Sequence, residues 1–131
     1  MRLILSSVIL ALLSACSSPQ SIRGIEDLPT LVRDTVAAPQ EVVYLRLSSG
    51  LSKCFGSSET YRIYEDKRDR QMVLGIIGEG ISGGYTAFLK VAVVPGENGS
   101  STLHISWVNP FWESRAAKLP SWARGEEPVC D

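Results

Sequence analysis

This 131-residue chain contains three cysteines and one histidine, the side chains that could take part in the most kinds of reaction. A cysteine sulfur can form a disulfide, bind a metal ion or act as a nucleophile, and a neighbouring histidine can serve as its base. Cys54 and Cys130 have no CxxC spacing, and His104 is the only imidazole, so a metal centre is poorly supported. Which reaction these cysteines undergo depends on the compartment in which the chain folds.

The first sixteen residues indicate that compartment. Basic Arg2 precedes a mostly apolar run over residues 3–13, and small residues then lead to Cys16. This arrangement is typical of a secretion signal. The run is shorter than the roughly 20 residues that a membrane-spanning helix needs. We therefore expect residues 1–15 to be a leader that is removed on export.

The residues Leu13-Ser14-Ala15-Cys16 resemble the lipobox of bacterial lipoproteins. This resemblance implies that diacylglycerol is attached to the Cys16 thiol, that cleavage occurs before Cys16, and that the new amino terminus is acylated. In that family Ser17 after the cysteine favours the outer membrane, with the domain facing the periplasm. The alternative is an ordinary secretion signal with a chance cysteine.

The other two cysteines form an even pair in a compartment where disulfides persist. We therefore expect a bridge between Cys54 and Cys130. It would close a loop of 77 residues, counting both cysteines, and on the loop-entropy model it would stabilise the domain by about 4 kcal/mol. Two free thiols are the alternative, and we expect no metal site.

The bulk composition limits the partners. Removal of residues 1–15 would leave 116 residues with 12 basic and 14 acidic side chains, because Arg2 leaves with the leader. That length suits one domain and a tether. A nucleic-acid-binding protein would show a clustered basic excess, so we expect no nucleic-acid partner.

Catalytic and cofactor motifs are weak. No serine lies in a GxSxG turn, and no HExxH is present. His104 alternates with Leu103 and Ile105, which is typical of a solvent-facing or hydrogen-bonded strand residue. We expect no cofactor and no catalytic role for His104.

Hydrophobic spacing predicts an α+β domain over residues 40–131, preceded by a flexible tether over residues 16–39. Apolar side chains at steps of four, four and three predict an N-terminal helix that begins near Pro39: Val43, Leu47, Leu51 and Cys54. A strand over residues 42–47 is the alternative. In the tether, Leu31, Val32 and Val36 could dock on the domain.

Beyond the helix we predict an antiparallel sheet of about four strands and a short C-terminal helix. The predicted strands are residues 60–64, 71–78, 85–94 and 103–107, with a turn at Asn98-Gly99. The charged run 65–70 is predicted to be a solvated hairpin tip. The terminal helix is predicted over residues 111–119, stopped at Pro120. We expect three tryptophans in the core rather than gripping a glycan: Trp107, Trp112 and Trp122.

A second similarity covers residues 40–131. A tyrosine and leucines lead to Cys54-Phe55, several strands follow, and Trp122-Ala123-Arg124-Gly125 precedes Cys130. This pattern is similar to small, uncharacterised lipoproteins of Gram-negative envelopes, and the resemblance implies an architecture without a known activity.

Taken together, the patterns predict a lipid-anchored envelope protein that binds or scaffolds and performs no catalysis. Its expected partners are the membrane, through the lipid on Cys16, and an envelope protein or peptidoglycan. One alternative is an inhibitor or accessory factor of a periplasmic enzyme such as lysozyme, which would present a protruding loop at residues 78–84. Another is a cell-wall enzyme, which would form a polar cleft around His104 and Glu79.

Overall fold

The computed structural model describes residues 28–56, 61–79 and 84–130. The predicted leader, Cys16 and most of the predicted tether lie outside these residues, as do residues 80–83 of the predicted protruding loop. The described residues form an α+β fold in which one antiparallel sheet carries three helices on one face.

One strand and one helix precede a meander of four strands, and two short helices follow it. In chain order they are β1 (Val32–Val36), α1 (Gln40–Phe55), β2 (Tyr61–Arg68), β3 (Gln71–Glu79), β4 (Tyr85–Pro95), β5 (Ser101–Trp107), α2 (Pro110–Ala116) and α3 (Leu119–Ala123). The five strands pair in the order β1-β5-β4-β3-β2. Strands β2 to β5 each pair with their neighbour in the chain, whereas β1 pairs with the last strand.

The predicted first helix is confirmed as α1. Its stripe of Val43, Leu47 and Leu51 is fully buried against the sheet, as expected for apolar residues at helical spacing. Proline at its N-cap position and Glu41 in the first turn suit the start of a helix. Gly50, unfavourable in mid-helix by about 1 kcal/mol, is buried where the ring of Trp122 approaches the helix.

The sheet has five strands rather than about four, because part of the predicted tether is a strand. Val32–Val36 pairs with β5 from Val32 opposite Ile105 to Val36 opposite Ser101. Val36 is buried in the core, and the Ser101 hydroxyl donates to the Ala38 carbonyl at 2.7 Å. The folded region therefore begins before residue 40, and α1 is preceded by a strand.

The charged run 65–70 is only in part a hairpin tip. Residues through Arg68 continue β2, which is an edge strand with one neighbour, and the turn itself consists of Asp69 and Arg70. Edge strands are commonly rich in charged side chains, which oppose pairing with other chains. The two turn residues have φ values of 43° and 71°, as a two-residue type I′ hairpin requires.

The hairpin of β4 and β5 is confirmed. Its turn places Asn98 and Gly99 at φ values of 54° and 73°, the left-handed region that these two residue types tolerate best. The C-terminal segment differs from the prediction because it forms two short helices, α2 and α3. Pro120 does not stop a helix; it lies in the first turn of α3, where a proline is tolerated.

Candidate functional site

A cavity of about 390 Å³ opens beside the C-terminal helices, next to the end of α1. This volume lies within the range of small-ligand sites. Its walls combine aromatic rings, two basic side chains and a pair of half-cystines: Phe55, Tyr61, Phe111, Trp112, Trp122, Arg115, Lys118, Ser114, Cys54 and Cys130.

Helix α2 presents the residues at the mouth of this cavity. Asn109 caps the helix, since its side-chain oxygen accepts from the Phe111 amide at 3.1 Å, and Pro110 follows at the first helical position. Residues three and four positions apart share a helix face. Arg115 therefore lies over the rings of both Trp112 and Phe111.

Trp112 is the centre of the aromatic part of the site. The Phe88 ring stacks on it at a centroid distance of 5.4 Å, and Tyr61 and Phe111 approach edge-on at 5.5 and 5.6 Å. Phe55 lies 6.2 Å away. Such pairs contribute about 0.5–1.5 kcal/mol each beyond their burial, so the back of the cavity is rigidly packed while Phe111 at its mouth is 58% exposed.

Arg115 supplies the positive charge at the mouth. Its guanidinium carbon lies 3.9 Å from the Phe111 ring centroid and 5.4 Å from that of Trp112. One N–H donates to the Phe111 carbonyl at 2.9 Å. No carboxylate among the described residues forms an ion pair with Arg115. A guanidinium stacked on an exposed ring can bind a planar anion through its other N–H groups.

The disulfide forms one wall and holds the C-terminal tail there. Cys54 and Cys130 are bonded with a Cα–Cα distance of 5.3 Å, which confirms the predicted bridge. On either side of the bond, Lys53 donates to the Pro128 carbonyl at 3.0 Å and Lys118 to that of Val129 at 3.4 Å. The tail is thus tied both to the end of α1 and to the segment between α2 and α3.

The residues of the predicted polar cleft do not come together. His104 lies in β5 opposite Arg33 and Ala92, whereas Glu79 ends β3 opposite Tyr85. Ala92 pairs with Val73, six residues before Glu79, so His104 and Glu79 are about 20 Å apart along the strands. Burial, followed by the charges of Arg33 and Lys90, lowers the pKa of His104 below its usual value.

Ser106 lies two residues after His104, on the same face of β5. It lies opposite Lys90, is fully buried, and its hydroxyl oxygen has no hydrogen-bond partner. Burial lowers the pKa of the Lys90 ammonium, with a smaller effect from Arg68. No hydrogen bond connects Ser106 to His104 or Lys90, so these side chains do not form a proton-transfer chain.

The tryptophan prediction is confirmed for two of the three side chains. Trp112 and Trp122 are buried in the core, and both also line the cavity, whereas Trp107 is half-buried and does not. The cavity itself was not predicted. The spacing Phe111–Arg115 beside Trp112 was a possible signal, but the same spacing occurs on ordinary amphipathic helices.

No protein-family model matches this chain, and no curated protein matches it. In residues 28–56, 61–79 and 84–130, no three histidine, cysteine or acidic side chains group closely enough to hold a metal ion. Within the same part of the chain, no helix has the length and apolar character to cross a membrane.

Proposed function

We propose that this chain is a lipid-anchored protein of the bacterial cell envelope whose domain is a non-catalytic binding module. The anchor would be the lipid on Cys16, and the localisation the periplasmic side of the outer membrane. The Cys54–Cys130 bridge supports export, because disulfides persist in oxidising compartments and are rare in the cytosol.

The anchor has a direct test. Cells fed a radioactive fatty acid should label the wild-type protein, and Cys16→Ser should remove the label. A matched Cys54→Ser variant should keep it, since that sulfur is in the disulfide. Label that persists in Cys16→Ser would contradict the lipid anchor.

The binding site of the module is the cavity beside α2, and its proposed ligand is peptidoglycan. The observation that carries this proposal is Arg115 stacked on the exposed ring of Phe111. An exposed aromatic ring packs against the C–H face of a sugar, and a guanidinium binds a carboxylate with two parallel hydrogen bonds. Peptidoglycan combines sugar rings with peptide carboxylates, so it offers both groups to this site.

The same side chains support binding without catalysis. A guanidinium offers only hydrogen-bond donors and no nucleophilic atom, and the rings of Phe111 and Trp112 carry no titratable group. These groups hold a ligand by charge and stacking rather than by proton transfer or nucleophilic attack.

Calorimetric titration with a soluble disaccharide-peptide fragment of peptidoglycan tests this site. Arg115→Gln should weaken binding about 10-fold or more, because a hydrogen bond to a charged group contributes about 1.5–3 kcal/mol. Phe111→Ala should also weaken binding, because it removes the ring that packs on the sugar and supports the guanidinium. Arg124→Gln is the matched control, since Arg124 pairs with Asp34 away from the cavity. Equal affinity for Arg115→Gln and wild type would refute the site.

Crosslinking in intact cells separates this proposal from the inhibitor alternative. Peptidoglycan fragments joined to the protein would agree with a glycan-binding module. A periplasmic glycan hydrolase recovered in their place would favour an inhibitor or accessory factor and would exclude peptidoglycan as the main partner.

A further inference from the structure

The two faces of the sheet differ in what covers them. All three helices pack on one face, where their apolar side chains meet those of the sheet. Successive side chains of a strand point to opposite faces, so the alternate residues lie on the other side, which we call the second face. No helix formed by the described residues covers the second face. Residues at its centre, such as Ser106 and Ala92, are buried, whereas Arg33 and Arg62 on its edge strands are exposed.

The second face carries an excess of positive charge. Its basic residues are Arg33 of β1, Arg62 and Arg68 of β2, and Lys90 of β4. Its acidic residues are Asp66, which pairs with Arg68, and Glu79 at the end of β3. The second face therefore has four basic and two acidic side chains, against seven and eight in the rest of the described residues.

The charges on this face are close enough to repel one another. Burial is the main cause of the lowered pKa values of Lys90 and His104; the charge of Arg68 adds to the first shift, and the charges of Arg33 and Lys90 add to the second. These interactions lie on one side of the sheet and link β2 to β4, β4 to β5, and β5 to β1, so the basic side chains are spread across that side.

Tyrosines lie beside the basic side chains. The Arg62 guanidinium donates to the Tyr85 hydroxyl at 3.1 Å and lies 5.4 Å from the centre of its ring. Tyr64 is half-buried on the same face. Tyrosine is enriched at membrane–water interfaces because its ring is apolar and its hydroxyl is polar.

The chain also enters the domain on this face. Leu28, the first described residue, packs against Ile77 and Ala87 together with Tyr64 and Tyr85. Cys16 precedes Leu28 by twelve residues, so a fully extended chain places the two at most about 40 Å apart. A lipid on Cys16 would therefore keep the point where the chain enters the second face within about 40 Å of the membrane.

We propose that the second face of the sheet rests on an anionic membrane surface, held there by the exposed basic side chains Arg33 and Arg62. This inference depends on the proposed lipid on Cys16. It orients the cavity beside α2 away from the membrane, since that cavity opens on the opposite, helix-bearing side of the sheet.

Site-specific photocrosslinking to lipid tests this orientation. The lipidated full-length product is reconstituted in vesicles containing phosphatidylglycerol, with a photoreactive benzoylphenylalanine replacing Thr35 or, as the matched control, Leu45. Thr35 is exposed on the same strand face as Arg33, and Leu45 is a 66% exposed residue of α1. We expect phospholipid adducts at position 35 and few at position 45.

The charge requirement is tested in the same vesicles. Arg33→Gln/Arg62→Gln should reduce the adduct at position 35 roughly 25-fold, because each basic residue near an anionic surface contributes about fivefold. The control Lys53→Gln/Lys67→Gln removes two positive charges that lie outside the second face, and it should change the adduct yield at position 35 little. Vesicles of phosphatidylcholine alone should give few adducts.

Each contrary result has a distinct meaning. Equal adducts at positions 35 and 45, or no effect of Arg33→Gln/Arg62→Gln, would overturn the orientation and leave the anchor intact. Failure of the wild-type protein to associate with vesicles would overturn the anchor and the orientation together. Suppression of the adduct by millimolar glycerol phosphate would identify a site for small anions and overturn the membrane surface as its occupant.

Discussion

Gly50 offers the sharpest test of how the helices pack. A Cβ atom at this position would lie 2.5 Å from Cε3 and 2.8 Å from Cδ2 of the Trp122 ring. Carbon atoms in contact normally lie about 3.5–4.0 Å apart, so the ring would have to move by about 1 Å. Trp122 is only 3% exposed, and its rigid ring has little room to shift.

We therefore expect Gly50→Ala to destabilise the domain. Overpacking of this kind costs about 1–3 kcal/mol, and the better helix propensity of alanine offsets about 1 kcal/mol. The net loss in the free energy of unfolding should therefore be up to about 2 kcal/mol. In a domain of this size the melting temperature would fall by up to about 15 °C.

Urea unfolding followed by circular dichroism measures this change. Ser49→Ala, on the exposed side of the same helix, should be neutral or slightly stabilising and controls for helix propensity. In a Trp122→Leu background the contact is gone, so Gly50→Ala should become stabilising. If Gly50→Ala raised the free energy of unfolding by about 1 kcal/mol in the protein that retains Trp122, the packing argument would be refuted.

Three further predictions concern the turn, the disulfide and the histidine. Arg70→Gly should raise the free energy of unfolding by about 0.5–1 kcal/mol, because φ is 71° at this exposed turn residue and glycine adopts that value without strain. Urea unfolding would show a higher midpoint, and an unchanged or lower midpoint would contradict the type I′ turn. Cys54→Ala/Cys130→Ala should lower the free energy of unfolding by up to about 4 kcal/mol, which urea unfolding would show as a lower midpoint, and an unchanged midpoint would contradict the contribution of the bridge. The lowered pKa of His104 means that the unfolded chain binds a proton before the folded chain does as the pH falls through 6.5, so stability decreases towards acid pH. His104→Gln should reduce the fall in urea midpoint between pH 7 and pH 5, and an identical fall in both proteins would refute this cause.

Local patterns in the sequence were sufficient for the elements whose partners lie nearby in the chain. The stripe of α1 and the turn at Asn98-Gly99 are properties of short segments, and both have the predicted structure. The disulfide was predictable because the predicted lipid on Cys16 left Cys54 and Cys130 as the two cysteines to pair. Its partners are distant in the chain, but the number of possible pairings was one.

The features that were missed depend on distant contacts. Strand β1 pairs with β5, nearly 70 residues later, and nothing in the short segment Val32–Val36 indicates that partner. Pro120 ends one helix pattern and can equally begin another, and only the packing of Leu119 and Trp122 in the core selects the second. The cavity beside α2 needs Tyr61 of β2 and Cys130 of the tail as well as α2, so no local pattern could predict it.

The central claim is that the cavity beside α2 binds peptidoglycan. The three tryptophans allow a direct test by nuclear magnetic resonance, because Trp112 and Trp122 line the cavity and Trp107 does not. On titration with a soluble peptidoglycan fragment, the indole N–H signals of Trp112 and Trp122 should shift while that of Trp107 stays in place. Saturating fragment that leaves both cavity signals unmoved, or shifts Trp107 alone, would contradict the claim.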